Sequence, residues 1–353
     1  MDIHLLSGFL GSGKTTAIQC ASRLLIEKGI KTGVITNDQG IRLVDLDFFK
    51  HLGIPGRQVI GGCFCCNYQD LDDQIQSLTE AEQPDVIFAE SVGSCTDIIA
   101  TVLKPLRQYR PQSRITLSVF ADALLLHMLL IEGITLFDES VQYIYNKQLE
   151  EAGILILNKV DLLNPGQLQE LKKKMQEKYG DKILHEQQAG NKQSIEKWLQ
   201  LLDRSPTLQI PASLEIDYPL YGAGEAMLAW LDQEIEIKSE TGEANRAAMD
   251  LVQDIHRRLV ALEYPVGHLK FLLNGKEKIS FSSSPASQQG FGVKPAFSAF
   301  LLLNARVQTE PGILSQLVQE STRAAGRKSG ISIRTRSVSA FKPGYPMPTH
   351  RMA

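Results

Sequence analysis

The residues from Gly8 to Thr15 read GFLGSGKT and have the spacing G-x-x-x-x-G-K-[ST] of a loop that wraps around phosphate groups. They follow an apolar run that predicts a strand, and they open a stretch with helical spacing, which is the context this loop requires. Glycines let the backbone turn its N–H groups towards a phosphate, and the helix N-terminus favours the negative charge. Lys14 is predicted to contact the β- and γ-phosphates, and Thr15 to bind Mg²⁺. The residues predicted to bind the nucleotide through this loop are Gly8, Gly11, Ser12, Gly13, Lys14, Thr15 and Thr16.

An acidic residue, Glu90, follows the apolar run Val86–Ala89 within the sequence ESVG. A carboxylate at the carboxyl end of a strand, beside a phosphate loop, has the position of a Walker-B residue. Glu90 is therefore predicted to hold Mg²⁺ through water or to orient the attacking water, and Gly93 to allow a close approach to the γ-phosphate. The predicted catalytic residues at this point are Lys14, Thr15 and Glu90.

A third element follows the apolar run Ile154–Leu157 and reads Asn158-Lys159-Val160-Asp161. It is similar to the N-K-x-D sequence with which GTPases bind guanine. A carboxylate can accept hydrogen bonds from N1–H and the exocyclic amine of guanine, a pair of donors that adenine lacks. The predicted nucleotide is therefore GTP, with Asn158, Lys159 and Asp161 at the base and ATP rejected.

Three of the five cysteines fall within four positions, in the sequence Gly61-Gly62-Cys63-Phe64-Cys65-Cys66. Neighbouring cysteines are poor partners in an unstrained disulfide, whereas three thiolates suit a soft or borderline ion such as Zn²⁺, Co²⁺, Ni²⁺ or Cu⁺. We predict a metal site at Cys63, Cys65 and Cys66, in addition to the Mg²⁺ at Thr15. A fourth ligand could be water, Cys95, or a histidine or carboxylate from another loop, whereas Cys20 is assigned to a helix core.

The composition around these residues is ordinary, with 353 residues, 43% hydrophobic, 22% charged and a net charge of −3. A disordered chain, a collagen-like repeat and a secreted disulfide scaffold are excluded. The charge balance predicts neither a nucleic-acid partner nor a membrane partner. The N-terminus lacks the pattern of a signal peptide and no apolar run reaches 18 residues, so a cytoplasmic location is expected.

Short apolar runs and helical stretches alternate through the first 160 residues. This alternation predicts an α/β fold, a P-loop NTPase domain with a mostly parallel sheet and helices on both faces. The polar segment 238–245 predicts a linker between a GTPase domain, residues 1–237, and a smaller C-terminal α+β domain, residues 246–341. Mostly antiparallel pairing is expected in the second domain, and an irregular tail from Lys342 onwards. A basic stretch in the second domain is interpreted as a solvated face, and it comprises Arg323, Arg327, Lys328, Arg334 and Arg336.

Taken together, these elements resemble the CobW-like family of P-loop GTPases, kin of the metal-centre chaperones for urease and hydrogenase. The matching segments, in family order, are Gly8–Thr16, Asn37–Gly40, Gly61–Cys66, Glu90–Gly93 and Asn158–Asp161. The resemblance implies GTP-dependent handling of a transition metal, with Zn²⁺ or Co²⁺ favoured, bound by the C-x-C-C cysteines. It also implies delivery of that metal to a client protein or cofactor pathway, with the C-terminal domain as a candidate docking module. Slow GTP hydrolysis is expected because the sequence identifies no arginine finger.

The chain departs from the family pattern at the first switch region. Asn37-Asp38-Gln39-Gly40 stands where the family usually has Asn-Glu-Phe-Gly, so the acidic side chain is shorter by one methylene. Asp38 is included among the predicted catalytic residues through this resemblance. The histidine-rich segment of some relatives is absent, since the seven histidines are spread along the chain. Transient carriage of metal is therefore favoured over storage.

Three other functions remain open from the sequence. A GTPase chaperone of a corrinoid enzyme or cobalamin pathway would share the nucleotide elements but has no need of three thiolates. A P-loop kinase acting on a small molecule would share the phosphate loop, but the guanine element disfavours it. A docking protein would depend mainly on the C-terminal domain. A phosphorylated product would identify the kinase, and removal of the residues beyond Asn245 would separate docking from hydrolysis.

Overall fold

The structure is a computed structural model that describes residues 1–40, 44–204, 211–283 and 294–353. The chain divides into two compact units. Unit 1 contains Met1–Gln39, Leu52–Gly224 and Gly344–Ala353, and unit 2 contains Gly40–His51 and Glu225–Pro343. Both units are therefore assembled from segments that are distant in the sequence.

Unit 1 is built on one parallel sheet flanked by helices. Its strands are β1 (Asp2–Gly8), β2 (Thr32–Asn37), β3 (Gly56–Val59), β4 (Val86–Glu90), β5 (Arg114–Asp122), β6 (Ile154–Asn158) and β7 (Ile183–Gln187). They pair in the order β3-β2-β4-β1-β5-β6-β7, and every pairing is parallel. The helices are α1 (Lys14–Glu27), α3 (Tyr68–Glu82), α4 (Lys104–Tyr109), α5 (Ala123–Leu130), α6 (Glu139–Glu151), α7 (Pro165–Tyr179), α8 (Lys192–Arg204) and α9 (Tyr218–Ala226), whose last two residues are assigned to unit 2. The predicted α/β fold class is confirmed.

The register of this sheet places the predicted site elements at one edge. Leu6 of β1 lies opposite Glu90 of β4, and Asp122 of β5 lies opposite Asn158 of β6. All strands run the same way, so the loops after β1, β2, β4 and β6 emerge at the carboxyl edge, where parallel α/β sheets bind ligands. The strands β1, β2, β4 and β6 are buried almost throughout, which explains why their sequences are continuously apolar.

Unit 2 has an antiparallel sheet with helices packed on it. Its strands are β8 (Leu228–Ser239), β9 (Val266–Leu273), β10 (Glu277–Phe281), β11 (Ser298–Gln308) and β12 (Ile331–Phe341), in the order β10-β9-β11-β8-β12. Its helices are α2 (Val44–His51), α10 (Ala244–Ala261) and α11 (Pro311–Ala325). Leu251, Ile255 and Leu259 of α10 are fully buried in one core with the inner residues of the sheet. In the sequence, apolar residues with helical spacing predict a helix over 246–263. Helix α10 and the antiparallel pairing agree with the predictions for this part of the chain.

Helix α2 joins unit 2 through polar contacts that its sequence does not reveal. Asp45 accepts hydrogen bonds from Lys270 at 2.6 Å and from Lys278 at 2.5 Å. The amide of Val44 donates to Asn304 Oδ1 at 2.8 Å. Burial alone would raise the pKa of Asp45, but the two ammonium groups outweigh it and hold this pKa well below its ordinary value. The segment after the first switch region is therefore fixed within unit 2.

The division into units differs from the predicted domain boundary at residues 237–246. Leu228–Ser239 is not the end of the first domain but strand β8, which pairs with both β11 and β12. Its outer positions carry polar residues such as Glu234, Glu236 and Lys238, which is why the segment resembles a linker in the sequence. The ten residues Gly344–Ala353 belong to unit 1, although the sequence places them after unit 2.

Within the described residues, no helix combines the length and the apolar character needed to span a membrane.

Candidate functional site

The phosphate loop has the backbone that its glycines predict. Gly8, Gly11 and Gly13 have φ angles of +125°, +74° and +91°, values that disfavour other residues. A Cβ on Gly8 would lie 2.1 Å from the Phe120 carbonyl oxygen, so only glycine fits between β1 and β5. Helix α1 begins at Lys14, directly after the loop. The loop therefore directs a helix N-terminus and its adjacent amides towards one point, as phosphate binding requires.

Two side chains of the loop lie inside it. Lys14 is buried, and its Nζ donates to the carbonyls of Gly8 at 2.6 Å and Phe9 at 3.2 Å. The Thr15 hydroxyl donates to both Glu90 carboxylate oxygens, at 3.0 and 2.9 Å. The predicted Walker-B residue thus lies beside the predicted Mg²⁺ ligand. A hydroxyl and a carboxylate are oxygen ligands of the kind Mg²⁺ prefers, so these residues suit that ion. Ser12 is buried and Thr16 is exposed.

The element Asn158–Asp161 combines a buried brace with an exposed carboxylate. Asn158 is fully buried, and its side chain donates to the Ser12 carbonyl at 2.7 Å and accepts from the Ala189 amide at 3.1 Å. Lys159 has a left-handed backbone, φ +62°, and its Nζ forms an ion pair with Asp122 at 2.7 Å. Asp161 is exposed. The sequence did not indicate Asp122, which ends β5 and pairs with Lys159 directly after β6.

The cysteines form one compact cluster. Cys63, Cys65 and Cys66 place their three sulfur atoms within 4.8 Å of one another. The Cys66 and Asn67 amides both donate to the Cys63 carbonyl, at 3.1 and 2.9 Å, which closes the segment into a tight turn before α3. The five cysteines of the chain are all in the described residues, and none is in a disulfide. The predicted cluster therefore has the donor atoms and spacing of a thiolate metal site.

Crowding makes these thiols hard to ionise without a cation. Hydrogen bonds with Cys63, Cys66 and Cys95, together with burial, raise the pKa of Cys65 well above its ordinary value. The pKa of Cys66 rises to about 11, mainly through its hydrogen bond with Cys63. A bound divalent cation would supply the positive charge that favours the thiolates and would displace their protons.

Asn37 connects the first switch region to the cysteine turn. Its side-chain amide donates to the carbonyls of Gly62 at 2.7 Å and Val59 at 3.1 Å, and its oxygen accepts from the Phe64 amide at 2.8 Å. In the sequence, Asn37 belongs to one of the segments that match the family, and nothing there indicates these contacts of its side chain. The next residue, Asp38, is half-buried, and its amide donates to Val59 at 3.2 Å. The role of the Asp38 carboxylate stays a prediction.

The loop after β4 lies against the phosphate loop. A Cβ on Gly93 would come within 2.9 Å of the backbone N and Cα of Leu10, so this position needs glycine for a close approach between two backbones. The buried Gln148 of α6 donates to the carbonyls of Gly93 at 3.0 Å and Cys95 at 2.7 Å. Gln148 was not predicted, because it falls within an unremarkable polar helix.

The C-terminal segment of unit 1 covers part of the cysteine turn. The Met347 amide donates to the Cys66 sulfur at 3.2 Å. Thr349 donates its amide to the Cys65 carbonyl at 2.9 Å and its hydroxyl to the Cys66 carbonyl at 2.8 Å. Arg351 pairs with Asp97 at 2.9 Å. The tail has no regular secondary structure, as expected, but nothing in the sequence indicated this contact.

A parallel α/β sheet, a glycine-rich loop enclosing a lysine and a strand-end carboxylate beside a threonine together define a P-loop nucleotide-binding protein. The family model "CobW/HypB/UreG, nucleotide-binding domain" matches residues 2–185, more than half of the 353 residues. The chain belongs to this family, and the resemblance inferred from its sequence is confirmed.

Several known proteins are similar to this chain. It is 28% identical to the zinc chaperone YeiR of Escherichia coli (strain K12) over 215 residues, which are 60% of this chain and 61% of that protein. It is 28% identical to the zinc chaperone CobW of Sinorhizobium sp. over 182 residues, 45% of this chain and 51% of that protein. The chain thus matches between half and three fifths of the length of these relatives. The crystal structure of Helicobacter pylori HypB in complex with nickel covers 61% of this chain and 92% of its own, with 16% identity and a TM-score of 0.45.

Proposed function

We propose that this protein binds and hydrolyses GTP and, through that cycle, binds a transition-metal cargo and releases it to a client protein in the cytoplasm. One observation supports this function above the others. The cysteine turn is hydrogen-bonded to the side chain of Asn37 at the carboxyl end of β2. Strand β2 pairs with β4, which ends at Glu90. The metal-binding cysteines and a nucleotide-binding carboxylate are therefore positioned by the ends of two neighbouring strands, so that a movement of one loop can displace the other.

The phosphate chemistry would depend on three side chains. Lys14 would contact the β- and γ-phosphates, while the Thr15 hydroxyl and the Glu90 carboxylate would hold Mg²⁺ between them, Glu90 directly or through water. When bound, Mg²⁺ neutralises charge that develops on the phosphate oxygens. Glu90 could also orient the attacking water, since its carboxylate lies at the strand end beside the loop. No arginine of this chain is assigned to the transition state, so slow turnover is expected.

Guanine selection is assigned to Asp161. Its carboxylate is exposed, whereas the Asn158 side chain is buried and hydrogen-bonded to the Ser12 carbonyl and the Ala189 amide. Asp161 is thus the side chain of this element that suits the two donors on the guanine edge. We assign Asn158 and Lys159 to positioning, since both are tied to neighbouring strands or loops.

Zn²⁺ is the proposed cargo, with Co²⁺ as the nearest alternative. Three sulfur ligands suit both ions, and the two curated relatives are named as zinc chaperones. A site with three thiolates from one turn leaves a coordination position open, as transfer to a client requires. The seven dispersed histidines favour transient carriage of the ion.

The test measures zinc affinity in two nucleotide states. The full chain is titrated with Zn²⁺ against a chromophoric chelator, with saturating GDP or a non-hydrolysable GTP analogue. We expect the two dissociation constants to differ by about fivefold or more, the scale of an allosteric coupling of 1 kcal/mol. By linkage, Zn²⁺ must change the affinity for the GTP analogue by the same factor. Equal zinc affinities in the two states would refute the proposed cycle.

Matched variants separate the two activities. The double variant Cys63→Ser/Cys66→Ser is expected to lose tight zinc binding and keep GTP binding, whereas Cys20→Ser keeps both. Lys14→Ala is expected to abolish the release of phosphate from GTP and leave zinc bound. Hydrolysis that persists in Lys14→Ala would show that another site or a contaminant is responsible.

A further inference from the structure

The turn Cys63–Cys66 supplies three sulfur atoms, and a tetrahedral thiolate site needs a fourth ligand. We propose that Cys95 is that ligand and that it links the metal to the nucleotide. This inference rests on the proposed metallochaperone function and adds to it a residue outside the C-x-C-C turn.

The position of the Cys95 sulfur fits a shared metal ion. Its Sγ lies 3.6 Å from Cys65 Sγ, and Cys65 Sγ lies 3.7 Å from Cys66 Sγ. Sulfur atoms bound tetrahedrally to zinc at 2.3 Å are separated by about 3.8 Å. Both separations are close to this distance, whereas Cys63 Sγ lies 2.6 Å from Cys65 Sγ and 3.3 Å from Cys66 Sγ. Only the sulfur atoms of Cys63, Cys65 and Cys66 all lie within 4.8 Å of one another among the described residues, so Cys95 would complete the site by a movement of its loop. Cys95 is fully buried beside Cys65.

The hydroxyl of Tyr221 contacts the Cys95 sulfur in the way that an outer-shell group contacts a metal ligand. The Tyr221 hydroxyl donates to Cys95 Sγ at 3.5 Å, while its oxygen accepts from the Thr96 amide at 3.3 Å. Tyr221 is itself almost fully buried. A donor fixed in this way stabilises a thiolate and sets the direction of the sulfur, as outer-shell hydrogen bonds do at metal sites.

The loop that carries Cys95 also touches the phosphate loop. It starts at Glu90, which accepts from the Thr15 hydroxyl, and Gly93 lies against the Leu10 backbone. The Gln148 side chain donates to the carbonyls of both Gly93 and Cys95, which links these two residues to each other. A metal–sulfur bond tolerates only small changes in length. A shift of about 1 Å at Gly93 would thus add or remove the fourth thiolate.

The consequence is a cargo site with two strengths of binding. With four thiolates the metal is enclosed, as in structural zinc sites, and with three it keeps a position open for a ligand from a client. The nucleotide would select between these two states. Cys95 is therefore the residue on which the nucleotide dependence of zinc affinity should rest.

The experiment uses Co²⁺ as a spectroscopic probe of the full chain, together with the zinc titration in both nucleotide states. In the tighter nucleotide state, Cys95→Ser should lower the sulfur-to-Co²⁺ charge-transfer absorbance by about a quarter, from four thiolates to three. Zinc affinity should fall roughly 10- to 100-fold in the tighter nucleotide state, and the difference between the two states should shrink to within about twofold. Cys20→Ser, a cysteine of α1, should match the unaltered protein in each measurement.

The outcomes separate this inference from the proposed function. If Cys95→Ser binds GTP normally and keeps the full charge-transfer intensity and the nucleotide effect, the inference is wrong and the metallochaperone function stands. If the unaltered protein binds neither Co²⁺ nor Zn²⁺ tightly, both fail. If Cys95→Ser no longer binds GTP, Tyr221→Phe decides between the two, because it leaves the Cys95 thiol in place and removes the Tyr221 hydroxyl with its hydrogen bonds to Cys95 Sγ and from the Thr96 amide. A Tyr221→Phe variant with unchanged zinc affinity and nucleotide effect would then overturn the inference.

Discussion

Among single residues, Asn158 and Asp161 show that two residues of one sequence motif can have different roles. The sequence predicts both as guanine contacts, because N-K-x-D is interpreted as one unit. In the structure, Asn158 is buried and joins β6 to the phosphate loop through the Ser12 carbonyl. Asp161 is exposed on the following turn. Loss of either should impair GTP binding, but for different physical reasons.

We expect Asp161→Asn to weaken GTP binding at least tenfold and to reduce the preference for GTP over ATP, with little change in thermal stability. Asn158→Ala should weaken the binding of both nucleotides and also lower the free energy of unfolding by about 1–3 kcal/mol, because two buried backbone groups lose their partner. Nucleotide titrations and thermal melts of the nucleotide-free variants measure both effects. Unchanged melting of Asn158→Ala would contradict its role as a brace.

The single residues that could be predicted from the sequence are those whose partners are close along the chain or whose spacing is itself the signal. Lys14, Thr15 and the three clustered cysteines are of this kind. Asn37 and Gln148 could not be predicted, because each acts on a backbone group of a distant loop. Such contacts depend on how strands and helices are ordered in space, and that order cannot be inferred from the identity of one polar residue.

Among the elements, the strand–loop–helix unit β1–α1 and the amphipathic α10 followed from apolar periodicity and glycine placement. Strand β8 could not be predicted in this way. Polar residues alternate along it with apolar residues that pack in the core of unit 2, and the polar residues give the segment the appearance of a linker. Helix α2 could not be predicted either, since its first turn is held by Lys270, Lys278 and Asn304, which lie far along the chain. Tertiary contacts decided both elements over local pattern.

Helix α6 ends at a buried acid that should make stability depend on pH. Glu151 lies 3.4 Å from both the Thr96 hydroxyl and the Ile99 amide. Burial, with the nearby Asp97 carboxylate, raises the pKa of Glu151 from 4.5 to about 8. The folded protein therefore keeps a proton that the unfolded chain releases. The contribution of Glu151 to stability should be greatest below pH 4.5 and should fall as the pH rises towards 8.

Glu151→Gln tests this dependence, because the amide stays neutral at every pH. Between pH 5 and 8 the unaltered protein should lose on the order of a few kcal/mol more stability than the variant. Denaturant unfolding at several pH values measures the difference. The neighbouring Glu150→Gln, a half-exposed acid paired with Lys147, is the matched control and should leave the pH slope unchanged. Parallel slopes for Glu151→Gln and the unaltered protein would refute a buried neutral acid.

For the molecule as a whole, the chain order and the spatial order disagree in a way that matters for the metal. Residues 344–353 follow unit 2 in sequence but belong to unit 1, where they lie over the cysteine turn. The tail residues are themselves largely exposed, and Met347 is 73% exposed. The segment is held mainly by hydrogen bonds, an ion pair and ring contacts and adds little to the buried core, which allows it to open locally.

Removal of residues 344–353 should expose Cys66 and speed the loss of metal. The deletion removes the Met347 amide from the Cys66 sulfur and the two Thr349 hydrogen bonds from the turn. At about 1 kcal/mol for each hydrogen bond, the loss of even one corresponds to roughly fivefold in local opening. In the metal-free deletion variant, alkylation of Cys66 should therefore be at least several-fold faster than in the full chain, as measured by mass spectrometry. Zinc release from the variant to a chelator should be faster as well. Met347→Ala keeps the backbone amide and should behave as the unaltered chain, whereas equal alkylation rates for the deletion and the full chain would show that the tail does not protect the cysteines.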